Sequence, residues 1–268
     1  TCDIRMTVIN NAHGIEIGGL LEAARLAGAR ILEVYGREFE IEYKGDDSPL
    51  TEADKESNEA IMAFLERDYP NVPVISEENQ QVPYSERSSW PRFWLVDPLD
   101  GTKEFIKRNG EFTVNIALVE HGRPVVGVVY HPVDDTLYLG VEGAGAWKIS
   151  GDCAAEKIEG GAHYMERTKI KVVASRSHSS PEVAAFVDEI EKKGKEVNFL
   201  SAGSSLKLCL VAEASADVYP RFGPTMEWDT CAAHAVVSAA GKQVLDMVTR
   251  EPLSYNKPDL LNPVFIVE

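Results

Sequence analysis

The chain has 268 residues, of which 44% are hydrophobic, enough apolar material for one large domain or two of ordinary size. Its 43 acidic and 27 basic residues give a formal net charge of −16, which opposes binding to a nucleic-acid backbone or an anionic membrane surface. The longest apolar runs are strand-sized, so we expect no transmembrane span. These features exclude a disordered, fibrous or membrane-spanning protein and favour a small-molecule partner over a polymer of phosphates.

The amino-terminal residues and the cysteines predict a cytoplasmic protein. Residues 1–6 have neither the basic region nor the apolar region of a secretory signal. The four cysteines form no Cys-x-x-Cys pair and are too sparse for a disulfide framework, so we interpret them as free thiols. Cys209 and Cys231 lie on apolar faces of predicted helices, and we expect both to be buried. The sequence leaves open a peripheral membrane association and the choice between a monomer and a homodimer.

The first half of the chain predicts two helices followed by a run of strands. Apolar residues recur at helical spacing over residues 15–35. A second helix begins with Thr51 as N-cap and Asp54 in a capping-box position, and it ends near Pro70. Short β-branched or aromatic runs then predict strands at residues 72–75, 93–96, 113–119, 125–130 and 136–139, with a hairpin turn at 121–123.

The second half of the chain alternates strands with helices. Residues 140–166 are rich in glycine and carry mixed charge, so we place a domain boundary or a loose surface excursion there. Strands are predicted at residues 170–174, 197–200, 218–219, 243–245 and 264–267, and helices at 181–193, with Ser180 as N-cap, 205–214 and 229–240. Strands interleaved with helices predict a layered α/β or α+β fold.

The most unusual segment is Asp-Pro-Leu-Asp-Gly-Thr at residues 97–102, directly after an apolar strand. Ligands of α/β sheets collect at the carboxyl ends of strands. Pro98 fixes φ and Gly101 permits a positive φ, so the carboxylates of Asp97 and Asp100 can be turned to one side of a tight loop. Such oxygens suit Mg²⁺, and the amides of a Gly-Thr turn that opens a helix suit a phosphate. Taken alone, Asp-Pro and Asp-Gly are equally explained as ordinary turn signals.

Further acidic residues stand in comparable positions. Glu77 and Glu78 follow the predicted strand at residues 72–75, and Asp229 opens a predicted helix. Three strand-end or helix-start acidic groups are therefore expected to converge. Taken singly, Asp54 and Asp229 are more simply explained as carboxylates that cap the free N–H groups of a helix start.

These residues resemble the inositol monophosphatase-like superfamily of metal-dependent phosphatases, whose signatures are Asp-Pro-x-Asp-Gly-Thr, an upstream Glu-Glu and a late Trp-Asp. Within that superfamily, residues 94–118, 203–207 and 219–225 are similar to the CysQ-type bacterial 3'(2'),5'-bisphosphate nucleotidases, and the resemblance covers nearly the whole chain. It implies a layered αβαβα sandwich of the inositol monophosphatase/fructose-1,6-bisphosphatase type. Residues 1–150 would then carry most metal ligands, and residues 151–268 would carry nucleotide-binding residues and the last metal ligand.

The resemblance implies a role for each matching residue. Two or three Mg²⁺ ions would be held by Glu77, Asp97, the main-chain carbonyl of Leu99, Asp100 and Asp229. Asp54 and Thr102 would be catalytic and would orient the attacking water. The substrate-binding residues would be Glu77, Leu99, Asp100, Gly101, Thr102, Lys103, His178, Ser204, Ser205, Lys207, Arg221 and Asp229. This division into metal-binding, catalytic and substrate-binding residues is consistent with a mechanism in which paired metal ions activate a water and bridge a phosphate.

The cations of the second half bear on the choice of substrate. A nucleoside bisphosphate carries a phosphate that the metal ions do not neutralise, so its site needs separate cations, and Lys207 and Arg221 are suitable. Without the resemblance, Lys207 is more simply a solvated helix residue and Ser204 an N-cap. His178, at a predicted strand end, is equally well explained as a contact to the distal phosphate or as a surface histidine. Lys103 stands where the inositol phosphatases have a different residue, which favours the nucleotidase branch.

The resemblance therefore predicts Mg²⁺-dependent hydrolysis of the 3'-phosphate of adenosine 3',5'-bisphosphate to AMP and phosphate. This reaction recycles the by-product of sulfate activation and sulfotransfer, and the resemblance also implies inhibition by Li⁺ at a Mg²⁺ position. One alternative is an inositol monophosphate or fructose bisphosphate phosphatase, which shares the metal-binding residues. The other is a noncatalytic metal- or nucleotide-sensing module, which the intact set of catalytic residues disfavours.

Overall fold

A computed structural model describes residues 10–45, 49–79, 81–174 and 180–268. Within those ranges it has seven α-helices and one turn of 3₁₀ helix at Tyr164–Glu166. The helices are α1 (Ile17–Tyr35), α2 (Glu52–Asp68), α3 (Tyr84–Arg87), α4 (Thr102–Ile106), α5 (Pro181–Lys192), α6 (Leu206–Ala212) and α7 (Glu227–Ala239).

The strands include two short hairpins as well as the layers described below. They are β1 (Asn11–Ala12), β2 (Ile15–Glu16), β3 (Ile41–Tyr43), β4 (Pro49–Thr51), β5 (Val74–Ser76), β6 (Arg92–Asp100), β7 (Thr113–Glu120), β8 (Arg123–His131), β9 (Thr136–Val141), β10 (Gly145–Ser150), β11 (Glu156–Ile158), β12 (Lys169–Ala174), β13 (Glu196–Ser201), β14 (Tyr219–Arg221), β15 (Val244–Asp246) and β16 (Phe265–Val267).

The largest sheet has seven strands in the order β11-β10-β9-β8-β7-β6-β5. β5 pairs with β6 in parallel, whereas the other neighbouring strands of this sheet pair antiparallel. A second layer of strands contains the parallel pair β12-β13 and the antiparallel group β14-β16-β15. A bridge between Val172 and Val218 joins the two parts of that layer.

Side chains on the two faces of the large sheet belong to two separate hydrophobic cores. On β6, Trp94 and Val96 pack with α1 and α2, while Phe93 and Leu95 pack with α6 and α7. Successive side chains of a strand point to opposite faces, so one apolar run serves both cores. A third core lies between α5 and the second layer of strands. The layers therefore run α1 and α2, large sheet, α6 and α7, second strand layer, α5, which confirms the predicted αβαβα sandwich.

The end of β6 differs from the sequence prediction. A tight loop was expected after residue 96, but β6 continues through Asp100, and its pairing with β7 is irregular between Asp97 and Asp100. The loop prediction is wrong because the chain keeps its cross-strand partners, Asn115 and Thr113, on either side of the irregularity. A bulge of this kind bends the strand and turns its side chains without ending the sheet.

Residues 140–166 are not a loose excursion, because they contain β10 and β11 at the edge of the large sheet. The division into residues 1–150 and 151–268 stays a prediction, and β11 extends the first sheet beyond it. Cys209 and Cys231 are buried free thiols, as expected, and Cys153 is an exposed one. None of the helices in the described ranges is both long enough and apolar enough to cross a membrane.

α7 lies on the large sheet at a pair of glycines. Gly127 of β8 and Gly140 of β9 are direct cross-strand partners. An added Cβ would lie 2.2 Å from the carbonyl oxygen of Ala232 at Gly127, and 2.4 Å from the Cα of Val236 at Gly140. The backbone of α7 therefore occupies the space that side chains would take on an ordinary strand. This close approach determines how near the start of α7 lies to the large sheet.

We expect Gly140→Ala to lower the free energy of unfolding by about 1–3 kcal/mol, because the obstructing atoms are helix backbone and cannot rotate away. Gly45→Ala is the control, since a Cβ there meets no atom of the described residues within 4 Å; its effect should stay within about 0.5 kcal/mol. Urea unfolding of both variants measures the difference. Equal stability of the two variants would show that α7 shifts freely and would contradict this account.

Candidate active site

Three acidic side chains meet where β5 and β6 end and α7 begins. The parallel pairing sets Ser76 beside Val96, and the N–H of Glu77 donates to the carbonyl of Val96 at 3.2 Å. Glu77, directly after β5, therefore lies beside Asp97 of β6. Carboxylate oxygens of Glu77, Asp97 and Asp229 all lie within 4.8 Å of one another. The predicted convergence of strand-end and helix-start acidic residues is confirmed for these three.

Only one of the two carboxylate oxygens of Asp97 accepts a hydrogen bond from the described residues. Its Oδ1 accepts the N–H of Leu99 at 3.1 Å, while its Oδ2 is buried and has no hydrogen-bond partner among the described residues. A buried carboxylate oxygen without a partner is costly unless a cation or donor meets it. An unpartnered oxygen beside two more carboxylates fits a hard divalent cation, which takes oxygen ligands.

The crowding of these carboxylates perturbs their protonation. Burial raises the pKa of Asp97 well above its ordinary value, and the negative charges of Glu77 and Asp100 raise it further. Burial and the charge of Asp100 likewise raise the pKa of Asp229, against a hydrogen bond from the N–H of Met226 that lowers it. A bound divalent cation would favour the ionised forms and remove the repulsion between them.

Asp54 and Asp229 each cap a helix and also belong to the site. Oδ2 of Asp54 accepts the N–H of Thr51, and Oδ2 of Asp229 accepts the N–H of Met226, both at 2.7 Å. Oδ1 of Asp54 accepts the hydroxyl of Thr102 at 3.0 Å. Burial raises the pKa of Asp54, although its hydrogen bonds lower it. Capping and a role in the site are thus compatible, because the two oxygens of one carboxylate serve different partners.

The other predicted metal ligands, Asp100 and Leu99, lie next to this group. Asp100 is not part of the group of three, and its Oδ2 accepts both the N–H and the hydroxyl of Ser205, at 2.7 and 2.6 Å. The carbonyl of Leu99 is 3.4 Å from the Thr102 hydroxyl. Gly101 has φ +94°, and a Cβ there would lie 2.2 Å from Oγ of Ser204. The roles of Asp100 and Leu99 as metal ligands stay predictions.

A cavity of about 320 Å³ adjoins the acidic group. Lys207 is only 8% exposed, and its ammonium lies 5.7 Å from the ring centroid of Tyr219. Arg221 donates to the carbonyls of Gly223 and Pro224. The predicted site residues that line the cavity are Asp100, Gly101, Lys103, Ser204, Lys207, Arg221 and Asp229.

The two serines are bonded to the protein itself. The hydroxyl of Ser204 lies 2.8 Å from the carbonyl of Asp100 and 2.7 Å from that of Glu111, and Ser205 is 1% exposed. A substrate contact by either hydroxyl would have to replace one of these hydrogen bonds, so their predicted substrate role remains a prediction. His178 lies outside the described residues.

Lys44 is a site residue that the sequence reasoning missed. Its ammonium donates to Glu77 at 2.8 Å and to Glu78 at 2.7 Å. Burial raises the pKa of Glu78 to about 7, although the hydrogen bond from Lys44 lowers it. No local pattern marks Lys44, because its partners are more than 30 positions away and only the fold brings them together.

Lys107 and Asn115 were also missed. Lys107 lines the cavity one helical turn after Lys103, so the four-residue spacing on a helix was a readable signal. Asn115 is buried on β7 and bonds to Ser205 at 2.6 Å. Its position in an otherwise apolar strand was the available signal, but its partner could not be read from the sequence.

Comparison with known proteins gives a consistent result. A family model described as the inositol monophosphatase family matches residues 17–267. The chain is 47% identical over 249 residues to the 3'(2'),5'-bisphosphate nucleotidase CysQ of Escherichia coli K12, covering 92% of this chain and 96% of that protein. The crystal structure of CysQ from Bacteroides thetaiotaomicron, a bacterial member of the inositol monophosphatase family, matches with a TM-score of 0.82 at 48% identity, covering 94% and 97% of the two chains. The Thermotoga maritima IMPase, at 22% identity with a TM-score of 0.71 and coverage of 94% and 91%, shares the fold.

We expect the stabilisation by a divalent cation to increase with pH. Since the folded-state pKa values of Asp97 and Asp229 are raised, the metal-free protein loses stability as the pH rises through those values. A cation that binds the ionised group opposes this loss. The rise in melting temperature on adding a saturating divalent cation should therefore grow from about pH 5 to about pH 8.

Differential scanning fluorimetry at the two pH values measures this increment. Asp97→Asn should abolish most of its pH dependence, whereas Glu159→Gln, at an exposed position, should leave it intact. An increment of equal size at both pH values would contradict competition between protons and the cation for this group.

Proposed function

The chain belongs to the inositol monophosphatase family, and from that premise we propose that it is a 3'(2'),5'-bisphosphate nucleotidase. Its reaction is hydrolysis of the 3'-phosphate of adenosine 3',5'-bisphosphate to AMP and phosphate, which recycles the by-product of sulfate activation and sulfotransfer in the cytoplasm. The observation that carries the proposal is the junction of a three-carboxylate group with a cavity lined by cations. The identity of 47% to a nucleotidase of that name supports it.

The cofactor in this proposal is Mg²⁺, as two or three ions. Mg²⁺ favours a few carboxylates together with water and substrate phosphate, which suits the unpartnered Oδ2 of Asp97 beside Glu77 and Asp229. Asp100 and the carbonyl of Leu99 complete the proposed ligand set. Bound Mg²⁺ supplies a water of lowered pKa and neutralises charge on the transferred phosphoryl group. Inhibition by Li⁺ at one of these positions belongs to the same proposal.

Asp54 and Thr102 provide the route for the proton of the attacking water. Because the Thr102 hydroxyl donates its hydrogen to Oδ1 of Asp54 at 3.0 Å, the Thr102 oxygen has lone pairs left to accept from a water. A proton taken from that water can pass through the hydroxyl to the carboxylate. Burial raises the pKa of Asp54 and so strengthens this carboxylate as a base.

The cations of the cavity favour a substrate with more than one phosphate. Lys103, Lys107, Lys207 and Arg221 all line it, in a chain whose net charge is −16. Four cations around one cavity suit a phosphate that the metal ions do not reach. The carboxylates that line the same cavity are Asp100, Glu104, Glu111 and Asp229. An inositol monophosphate has no second phosphate for the four cations.

A substrate panel tests the reaction. In Mg²⁺, kcat/KM for adenosine 3',5'-bisphosphate should exceed that for inositol 1-phosphate and fructose 1,6-bisphosphate by about 100-fold, which is about 2.7 kcal/mol of transition-state binding. Asp97→Asn and Asp229→Asn should each abolish phosphate release. A preference for inositol 1-phosphate would discard the nucleotide assignment, and no release from any of the three would favour the sensing module.

Lys207 is expected to bind substrate away from the reacting phosphorus. Lys207→Ala should therefore raise KM for adenosine 3',5'-bisphosphate about tenfold with little change in kcat. The effect on 3'-AMP, which lacks the second phosphate, should be smaller. Lys193→Ala, at an exposed position on another helix end, is the control and should change neither constant. A fall in kcat at unchanged KM would contradict this role.

A further inference from the structure

Three buried polar side chains, those of Thr113, Asn115 and Ser205, form a hydrogen-bonded network behind Asp100. Thr113 and Asn115 lie on β7, opposite the irregular end of β6, and Ser205 directly precedes α6. Their exposed fractions are 0%, 1% and 1%. Buried polar side chains in such positions are retained only when hydrogen bonds compensate their desolvation. Asn115 does not line the cavity, so a contact with substrate does not explain it.

The contacts fix the direction of the hydrogen bonds in this network. The amide nitrogen of Asn115 can only donate, and it lies 2.6 Å from Oγ of Ser205. The carboxylate of Asp100 can only accept, and its Oδ2 lies 2.6 Å from the same Oγ. The Ser205 hydroxyl must therefore donate its single hydrogen elsewhere than to Asn115, and the charged, nearer carboxylate of Asp100 is a stronger acceptor than the carbonyl of Asp229 at 3.0 Å. The hydroxyl of Thr113 donates to Oδ1 of Asn115 at 3.2 Å. The carboxylate of Asp100 fixes this orientation of the amide, because its Oδ2 lies 3.4 Å from the amide nitrogen of Asn115 and can only accept.

This arrangement engages one oxygen of Asp100 and leaves the other open. Oδ2 receives the hydroxyl and the N–H of Ser205 and a longer hydrogen bond of 3.4 Å from the amide of Asn115, while Oδ1 accepts no hydrogen bond from the described residues. Two short hydrogen bonds to one oxygen restrict rotation of the carboxylate about its χ2 bond. The Ser205 hydroxyl also lies 3.0 Å from the carbonyl of Asp229, so it stands between Asp100 and the first turn of α7.

We propose that Asn115, acting mainly through Ser205 and also through its own longer hydrogen bond, is a positioning residue that holds the carboxylate of Asp100 with Oδ1 presented to a second metal ion. The inference rests on the proposed function, in which Asp100 is a metal ligand. Partners that orient a ligating carboxylate commonly change metal affinity about 10- to 100-fold when they are removed. A merely structural Asn115 would affect stability and leave the affinity for the ion unchanged.

Asn115→Asp is the main test, because it keeps the size of the side chain and replaces the donor by an acceptor. The Ser205 hydroxyl is then drawn toward residue 115 and away from Asp100. Because the Asn115 amide also lies 3.4 Å from Oδ2 of Asp100, Asn115→Asp places a repelling charge there, so Ser205→Ala, which removes the same hydroxyl without adding charge, decides between the two effects. Asn58→Asp is the charge control, since Asn58 bonds with Asn79 and Ser76 beside the acidic group and does not contact Asp100.

Isothermal titration calorimetry and electron paramagnetic resonance with Mn²⁺ as the probe give the number of bound ions and their affinities. We expect Asn115→Asp and Ser205→Ala to weaken binding of the second ion at least about tenfold, with the first ion changed less than about threefold. Asn58→Asp should bind both ions as the unmodified chain does. In activity assays the two test variants should need more Mg²⁺ for half-saturation yet recover most of their kcat at high Mg²⁺.

Wild-type affinity for the second ion in Ser205→Ala would overturn the inference, whether or not Asn115→Asp folds. Binding of a single ion by the unmodified chain would overturn it as well. The outcomes are distinct from a failure of the proposed function, which would show as no hydrolysis of adenosine 3',5'-bisphosphate by the unmodified chain.

Discussion

The burial of several carboxylates close to one another is the constraint that shapes this site. Burial and mutual charge raise the pKa of Asp97 and Asp229. The ionised carboxylates are therefore stable only when a hydrogen-bond donor or a cation contacts their oxygens. Four aspartates of the site are stabilised in the same way, by a main-chain N–H donor. One oxygen of each aspartate accepts a main-chain N–H at 2.7–3.1 Å, and the donors are Thr51 to Asp54, Leu99 to Asp97, Ser205 to Asp100 and Met226 to Asp229. The second oxygen is thereby left for a cation, a hydroxyl or a proton.

The layered fold allows those four aspartates to come together from three separate elements. The start of α2, the end of β6 and the start of α7 belong to three successive layers, and they meet at one edge of the large sheet. Parallel pairing of β5 with β6 adds Glu77 beside Asp97. The glycine pair of β8 and β9 lets α7 approach closely enough for Asp229 to reach the group. Packing in the two cores thus determines electrostatics at the site.

Much of the fold and of the site was readable from the chain. The helical and strand periodicities, the capping box at Thr51 and the acidic residues after β5 and at the end of β6 all lie where local pattern places them. Three interpretations needed correction. Residues 140–166 are not a loose excursion, because they contain β10 and β11. β6 continues through Asp100, since cross-strand pairing with β7 outweighs the turn signals of Asp-Pro and Asp-Gly. Capping and site roles of Asp54 and Asp229 were set against each other, whereas the structure shows that each residue serves both.

The sequence by itself determined which elements form and which side chains are available, because periodicity, caps and turn residues depend on neighbours a few positions away. It also carried the family resemblance, and with it the expected chemistry. Only the tertiary structure decided which oxygen of each carboxylate is free, that Lys44 reaches Glu77, and that Asn115 and Ser205 form hydrogen bonds with each other and with Asp100. Most of those contacts join residues dozens of positions apart, and their geometry follows from strand register and helix packing, which no local pattern encodes.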